Sequence, residues 1–166
     1  MIAKEELNIL WSLEQTAEKY ADRVAVSDVN QELTWKELVK KAQVIGAELS
    51  KKVQPGNPIP VLLEKSSETL AVMLGIVYAG CFYVPVNPMN PAERLRKIME
   101  KLEPEVIISD EKGKEQLAVV GVGLEEKVIG PETLLPTIGT DLSEEQRSKL
   151  EQIQGQWKET DALYGI

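Results

Sequence analysis

Apolar residues at Leu10, Leu13, Ala17 and Tyr20 fall on one face at helical spacing and predict a helix over Trp11–Tyr20. Val24-Ala25-Val26 then reads as a short strand, and Asp28-Val29-Asn30-Gln31 has turn chemistry. Thr34 stands three residues before Glu37, the spacing of a capping box. There a hydroxyl accepts from the third helical amide, and the carboxylate reaches back to the cap amide. Leu38, Ala42, Ile45 and Leu49 mark the buried face of the helix that follows, which should end near Lys52. Pro55-Gly56-Asn57-Pro58 interrupts, and Pro60–Leu63 (PVLL) reads as a strand.

Ser66 or Ser67 should cap a helix over Glu68–Ala79 that is apolar all round, the pattern of a helix buried on most sides. Phe82–Val86 is a strand. Asn90 is placed as the cap of the next helix, with Pro91 at its first position, where the missing amide costs nothing. That helix should run to Leu102, because Pro104 disfavours its continuation. Glu105–Ser109 (EVIIS) is another strand and Lys114–Val120 another helix. Helices alternate with strands throughout, which predicts an α/β domain: a layered, mostly parallel sheet flanked by helices.

Beyond Gly121 the pattern weakens. Lys127-Val128-Ile129 reads as a strand, and Ser143–Gln154 forms a helix with few apolar positions. That helix reads as exposed or as part of a variable excursion, and residues 121–158 are expected to be a variable excursion within one unit spanning 1–166. Asp161–Ile166 (DALYGI) has the pattern of a strand's beginning, as expected of a piece of a longer chain.

Composition narrows the classes. The 166 residues are 43% hydrophobic and 28% charged, enough for one domain with a real core. A net charge of −8 argues against nucleic acid, whose phosphates need a basic surface. The basic groups Lys40-Lys41, Lys51-Lys52 and Arg94, Arg96, Lys97 sit among Glu37, Glu48, Glu93 and Glu100, as on solvated helix faces. Leu70–Val84 is free of charge but shorter than the roughly 20 residues a membrane span needs. Cys81 is the single cysteine, so no internal disulfide can form, and the N-terminus lacks a signal-peptide pattern. A cytoplasmic location and no membrane partner are expected.

Candidate chemistry is thin. With no histidine, Ser-His-Asp, Cys-His and His-rich metal systems are excluded. Cys81, in an apolar run, reads as a buried hydrophobe. Gly121-Val122-Gly123 lacks the third glycine of a dinucleotide fingerprint, and no GxxxxGK[ST] loop is present. Glu125-Glu126 and Glu144-Glu145 read as solvated pairs. Asp110 follows a strand, where α/β proteins bind ligands, but a helix cap explains it more readily. No catalytic, cofactor-binding or metal residue is assigned.

Four stretches carry a resemblance. Leu33-Thr34-Trp35-Lys36-Glu37-Leu38 resembles the LTY-x-EL motif of the adenylate-forming enzymes (the AMP-binding synthetase and ligase superfamily). Tyr78–Leu95 (YAGCFYVPVNPMNPAERL) resembles that family's AG-x-x-YVP-[LI]-DP motif and the P-x-E-R-[LI] helix after it. Gln15–Val26 resembles its lead-in, and Val106–Asp110 the strand after the second motif. The style of these motifs is similar to adenylation domains of nonribosomal peptide synthetases and to D-alanine–carrier-protein ligases. Asn87 departs from the family's usual aspartate, a change that either residue's turn-forming side chain can accommodate.

The resemblance implies the N-terminal part of the large domain of an ATP-dependent ligase. The whole enzyme would activate a carboxylic acid, of the amino-acid class, as an acyl-adenylate and pass it to a carrier thiol. ATP and Mg²⁺ would be its cofactors, with their sites outside this chain. A phosphopantetheinyl carrier protein or coenzyme A would be the acceptor, and the remainder of the adenylation domain the immediate partner. The isolated chain is expected to be inactive and to self-associate through apolar surface. The competing reading is a non-catalytic α/β interaction or regulatory module on the same scaffold.

Overall fold

The computed structural model describes residues 9–121, 123–134, 141–158 and 161–165. Helix α1 (Ile9–Lys19) turns Leu10 and Ala17 inward. Strands β1 (Val24–Ser27) and β2 (Glu32–Thr34) follow and pair antiparallel, with Val26 opposite Leu33 and Ser27 opposite Glu32. This corrects the simple alternation. Val24–Val26 is a strand, but it belongs to a hairpin outside the parallel sheet, because a few turn residues are far too short for a parallel crossover.

Helix α2 (Trp35–Leu49) starts on the expected capping box. The Glu37 amide donates to Thr34 Oγ1 at 3.3 Å, and the Thr34 amide donates to Glu37 Oε2 at 2.8 Å. Leu38, Ala42, Ile45 and Leu49 are all buried, and the helix closes at Leu49, ahead of Lys52. Next come β3 (Pro58–Leu62), α3 (Ser67–Tyr78) capped by Ser66, and β4 (Phe82–Pro85). They are followed by α4 (Ala92–Leu102), β5 (Ile107–Ser109), α5 (Glu111–Val120) and β6 (Val128–Ile129). Short α6 (Pro131–Leu134) and α7 (Glu144–Gly155) complete the described elements.

The four strands β4-β3-β5-β6 form an all-parallel sheet. Side chains alternate between its two faces, as the pleat requires. Ile59, Val61 and Ile108 pack with Ala71, Val72 and Ile76 of α3 and with Ile45 and Leu49 of α2. Leu62, Val84 and Ile107 pack on the other face with Leu95 and Met99 of α4 and Leu117 and Val120 of α5. Helices thus cover both faces, which explains why the strands read as apolar runs.

Two further expectations shift. The α4 cap is Pro91, not Asn90: Pro91 is extended (φ −54°, ψ 144°) and its carbonyl accepts from the amides of Arg94 and Leu95. Asn90 instead donates its amide to the Asn87 carbonyl, and Asn87 Oδ1 accepts from the Met89 amide at 2.9 Å. The asparagine at position 87 therefore does fix the turn. The helix expected to be exposed buries Leu150 and Ile153. Leu150 packs with Leu10, Ala47, Val77 and Tyr78, and Gln146 Nε2 reaches Glu48 Oε1 at 3.2 Å. Two apolar positions one turn apart suffice to seat a helix that is otherwise solvated.

At the C-terminal side, Tyr164 bridges Tyr83 in parallel, extending the sheet past β4. Tyr83 donates its amide to the Leu163 carbonyl at 3.4 Å and accepts the Gly165 amide at 2.9 Å. The two tyrosine rings stack 6.2 Å apart. Of the strand start expected over Asp161–Ile166 the described residues form only this single bridge at Tyr164, and Ile166 lies outside the described residues. Among the described residues, no helix is long and apolar enough to cross a membrane.

Candidate functional site

In an open parallel sheet, ligands bind beyond the carboxyl ends of the strands, where neighbouring crossovers diverge. Here that point lies between β3 and β5, whose last residues, Leu62 and Ser109, stand opposite each other. The β3 crossover leaves through α3 on one face, and the β5 crossover through α5 on the other. The starts of α3 and α5 therefore meet at this crevice. Helix starts present unpaired amides and positive dipole ends, so they decide what it can hold.

Both starts are filled by carboxylates of the chain. At α5, Asp110 Oδ1 accepts the Gly113 amide at 2.8 Å, so the aspartate that followed a strand is a helix cap. Ser109 beside it is buried, and its hydroxyl donates to the Leu62 carbonyl at 3.3 Å, closing the β3–β5 seam. At α3 the occupant comes from the β1–β2 turn. Asp28 Oδ2 accepts the Ser67 amide at 2.7 Å and the Ser67 hydroxyl at 2.6 Å. Asp28 Oδ1 accepts the amides of Asn30 at 2.7 Å and Gln31 at 3.0 Å. The Ser67 hydroxyl above all, then these amides, hold the Asp28 carboxyl far below the usual carboxylate range.

A cleft of about 560 Å³ opens beside the crevice, lined by Ser109, Asp110, Lys114, Gly130, Glu132 and Thr133 among others. Its lining sets the carboxylates Asp110, Glu111 and Glu132 against two lysines, Lys52 and Lys114, and Lys114 leans toward Glu111 at 3.9 Å. Phosphate recognition needs converging amides and cations. These residues do not fit a nucleotide's phosphates, and no cluster of three acidic or cysteine ligands stands ready for a metal among the described residues.

The other candidates are also accounted for. Cys81 is buried, donates to the Gln54 carbonyl at 3.4 Å and has its thiol pushed up to about 11, by burial above all. A thiol held protonated is a poor nucleophile. Glu125-Glu126 opens a single 3₁₀ turn, and Glu144-Glu145 forms the first turn of α7, where negative charge is favourable. Gly121 follows α5 and Gly123 has a positive φ of 80°, in a turn rather than a phosphate loop; Val122 lies outside the described residues.

The sequence missed two polar ties. Asp28 was legible only as a turn residue, since its partner lies 39 positions away. Tyr78 is fully buried, and its hydroxyl donates to Glu14 Oε1 at 2.8 Å, an oxygen that Gln43 also approaches at 3.1 Å. Burial first, then the Glu14 charge, raises the phenol above its ordinary range.

A layered parallel α/β scaffold with these motifs in order defines the N-terminal domain class of the adenylate-forming enzymes. The comparisons agree: the model of the AMP-binding enzyme family matches residues 13–164, and the chain belongs to that family. Bacitracin synthase 1 of Bacillus licheniformis is 35% identical over 112 residues, which cover 67% of this chain and 2% of that protein. An artificially fused adenylation–PCP di-domain nonribosomal peptide synthetase from Klebsiella oxytoca superposes with a TM-score of 0.66 at 21% identity. The match covers 80% of this chain and 24% of that one. A fatty acyl CoA synthetase of Mycobacterium tuberculosis gives 0.70 at 19% identity, over 79% and 28%. These two likenesses bear on the fold. The chain spans only a small part of each relative.

Proposed function

We propose that residues 1–166 are the N-terminal scaffold of an adenylation domain. The complete protein would convert an amino acid and MgATP to an aminoacyl-adenylate and pyrophosphate. It would then transfer the acyl group to the phosphopantetheine thiol of a carrier protein. The observation that carries this reading is the family match over 13–164, joined to relatives such as bacitracin synthase 1 that are peptide synthetases. Coenzyme A is the alternative acceptor, kept open by the likeness to an acyl CoA synthetase.

Neither catalytic nor cofactor residues are proposed within the chain. The filled starts of α3 and α5 support this, since the amides best placed for phosphate already serve Asp28 and Asp110. ATP and Mg²⁺ would be held by residues elsewhere in the complete domain. The remainder of that domain is proposed to meet this scaffold along the outer edge of β4. Leu70, Met89 and Tyr164 are exposed large apolar side chains, and Met73, Tyr83, Pro85 and Tyr164 line an apolar hollow of about 440 Å³ there. In isolation the same edge would promote self-association. The test is amino-acid-dependent ATP–pyrophosphate exchange. The 166-residue chain should give none under conditions where an intact adenylation domain is active, and exchange above background would overturn the reading.

The second reading, a non-catalytic module on this scaffold, rests on the same filled helix starts. It is separated by the coding sequence after Ile166. An in-frame Ser/Thr/Gly-rich stretch ending in lysine supports the enzyme, and a stop codon supports the module.

A further inference from the structure

The β1–β2 hairpin is attached at its two ends in different ways. Its open end is pinned to the start of α2, where the Trp35 amide bonds the Arg23 carbonyl and the Lys36 amide bonds the Ala21 carbonyl. Chain continuity into α2 reinforces that end. Between the ends, Leu33 is buried, while Ala25 and Val26 pack only partly against the core. The closed end has little apolar anchorage: Val29 is 99% exposed and Asn30 is exposed. What ties the turn to the parallel-sheet body is the Asp28 carboxylate, clasped by the amide and hydroxyl of Ser67.

We propose that the hairpin is a releasable strap over the carboxyl end of the sheet, latched by Asp28 at the start of α3. One side chain carries both halves of the latch. Oδ1 shapes the turn through Asn30 and Gln31, and Oδ2 docks the shaped turn on Ser67. Losing the carboxylate therefore loosens the turn and undocks it together. Charge-assisted bonds of this kind are roughly twice as strong as neutral ones, so one group can outweigh a short, poorly buried strand pair. The adjoining segments carry Glu32 on β2, Glu64 and Lys65 ahead of α3, and Glu68 in its first turn, which is paired with Lys41 of α2 at 3.9 Å. The donors to Asp28 are backbone amides and a hydroxyl, none of them an ion.

Release would do two things at the crevice. It would draw Leu33, the hairpin's own buried side chain, away from the core it packs with, and it would free the Ser67 amide and hydroxyl at the place where parallel α/β sheets take ligands. The strap thus governs access to the one end of the sheet with binding potential, whatever the complete protein activates.

Hydrogen exchange followed by mass spectrometry on the full 166-residue chain tests this, comparing wild type with Asp28→Ala and Ser67→Ala. Exchange should rise on the order of tenfold or more in Asp28→Ala across residues 22–34 and the first turn of α3. Ser67→Ala keeps the amide bond and loses only the hydroxyl, so its rise should be a few-fold over the same segment. Peptides from β3, β4 and β5 should stay within about twofold of wild type. No change in the hairpin, or a rise by one common factor across the whole chain, would overturn the latch. Should Asp28→Ala fail to fold, the Ser67→Ala pattern decides alone, by the same two outcomes.

Discussion

Helices α2 and α3 approach closely enough that glycine is required at their crossing. A β carbon added at Gly46 would lie 2.5 Å from Tyr78 Cβ, 2.9 Å from the Gly75 carbonyl oxygen and 3.3 Å from the Ala79 amide nitrogen. None of these atoms is the far end of a flexible side chain, so Gly46→Ala cannot be absorbed by a rotamer change. The helices must separate, opening gaps between Ile45 and Leu49 on one side and Val72 and Ile76 on the other, all in one core. Overpacking of this kind costs about 1–3 kcal/mol, and backbone obstacles favour the upper half of that range. Alanine returns about 1 kcal/mol through better helix propensity. The net loss is therefore about 1–2 kcal/mol, which lowers the melting temperature of a domain this size by roughly 2–8 °C. Urea denaturation followed by circular dichroism, with a thermal melt beside it, measures both. Gly155→Ala is the internal control, because nothing lies within 4 Å of its added carbon, and it should be neutral or slightly stabilising. A Gly46→Ala protein as stable as wild type, with the control behaving as stated, would refute the close crossing.

Three other outcomes follow from the same contacts. Thr34→Ala removes the hydroxyl half of the α2 capping box and should cost about 1 kcal/mol in urea, with Thr34→Ser restoring most of it. Cys81 is 1% exposed with a raised thiol, so Ellman's reagent at pH 8 should label it slowly in the native chain and at once in denaturant; fast native labelling would contradict its burial. For Asp28 the folded carboxyl is depressed below its unfolded value, so its contribution is present above that unfolded value, about 4, and is lost as the pH falls toward the folded one. The stability gap between wild type and Asp28→Asn should be flat from pH 5 to 8 and shrink below about pH 4 in acid titrations; a gap that changes between pH 6 and 8 would show that another group is responsible.

What the sequence disclosed follows the range of the forces involved. Capping box, helix faces and strand runs are local or periodic, so Thr34, Leu38, Ile45 and Val61 could be placed from pattern alone. Strand partnership is not local. Val24–Val26 has the same short apolar look as Val106–Ile108, and only the length of the following connection separates a hairpin from a crossover. The Asn90 cap failed on a finer point. Pro91 in an extended conformation supplies the first accepting carbonyl itself, and the asparagine is left to the preceding turn. The Asp28 and Glu14 ties were beyond reach because polar side chains in turns and on helix faces look alike until the partner, 39 or 64 residues away, is known.

The prolines of the second motif gain a physical reason from the ladder directions. In β4 the amides of Phe82 and Val86 point to β3, bonding the carbonyls of Asn57 and Val61, so the alternate residues Tyr83 and Pro85 face outward. Pro85 therefore sacrifices no bond to the sheet interior. Its missing donor lies on the outer edge, where Tyr83 supplies the one amide, already given to Leu163. A segment added to this edge can pair firmly at Tyr83 and must then loosen beside Pro85, finding only a carbonyl. The arrangement discourages open-ended strand addition while admitting the short parallel contact that Tyr164 makes. Pro85 thus lets one specific neighbour join the sheet and limits how far it can zip.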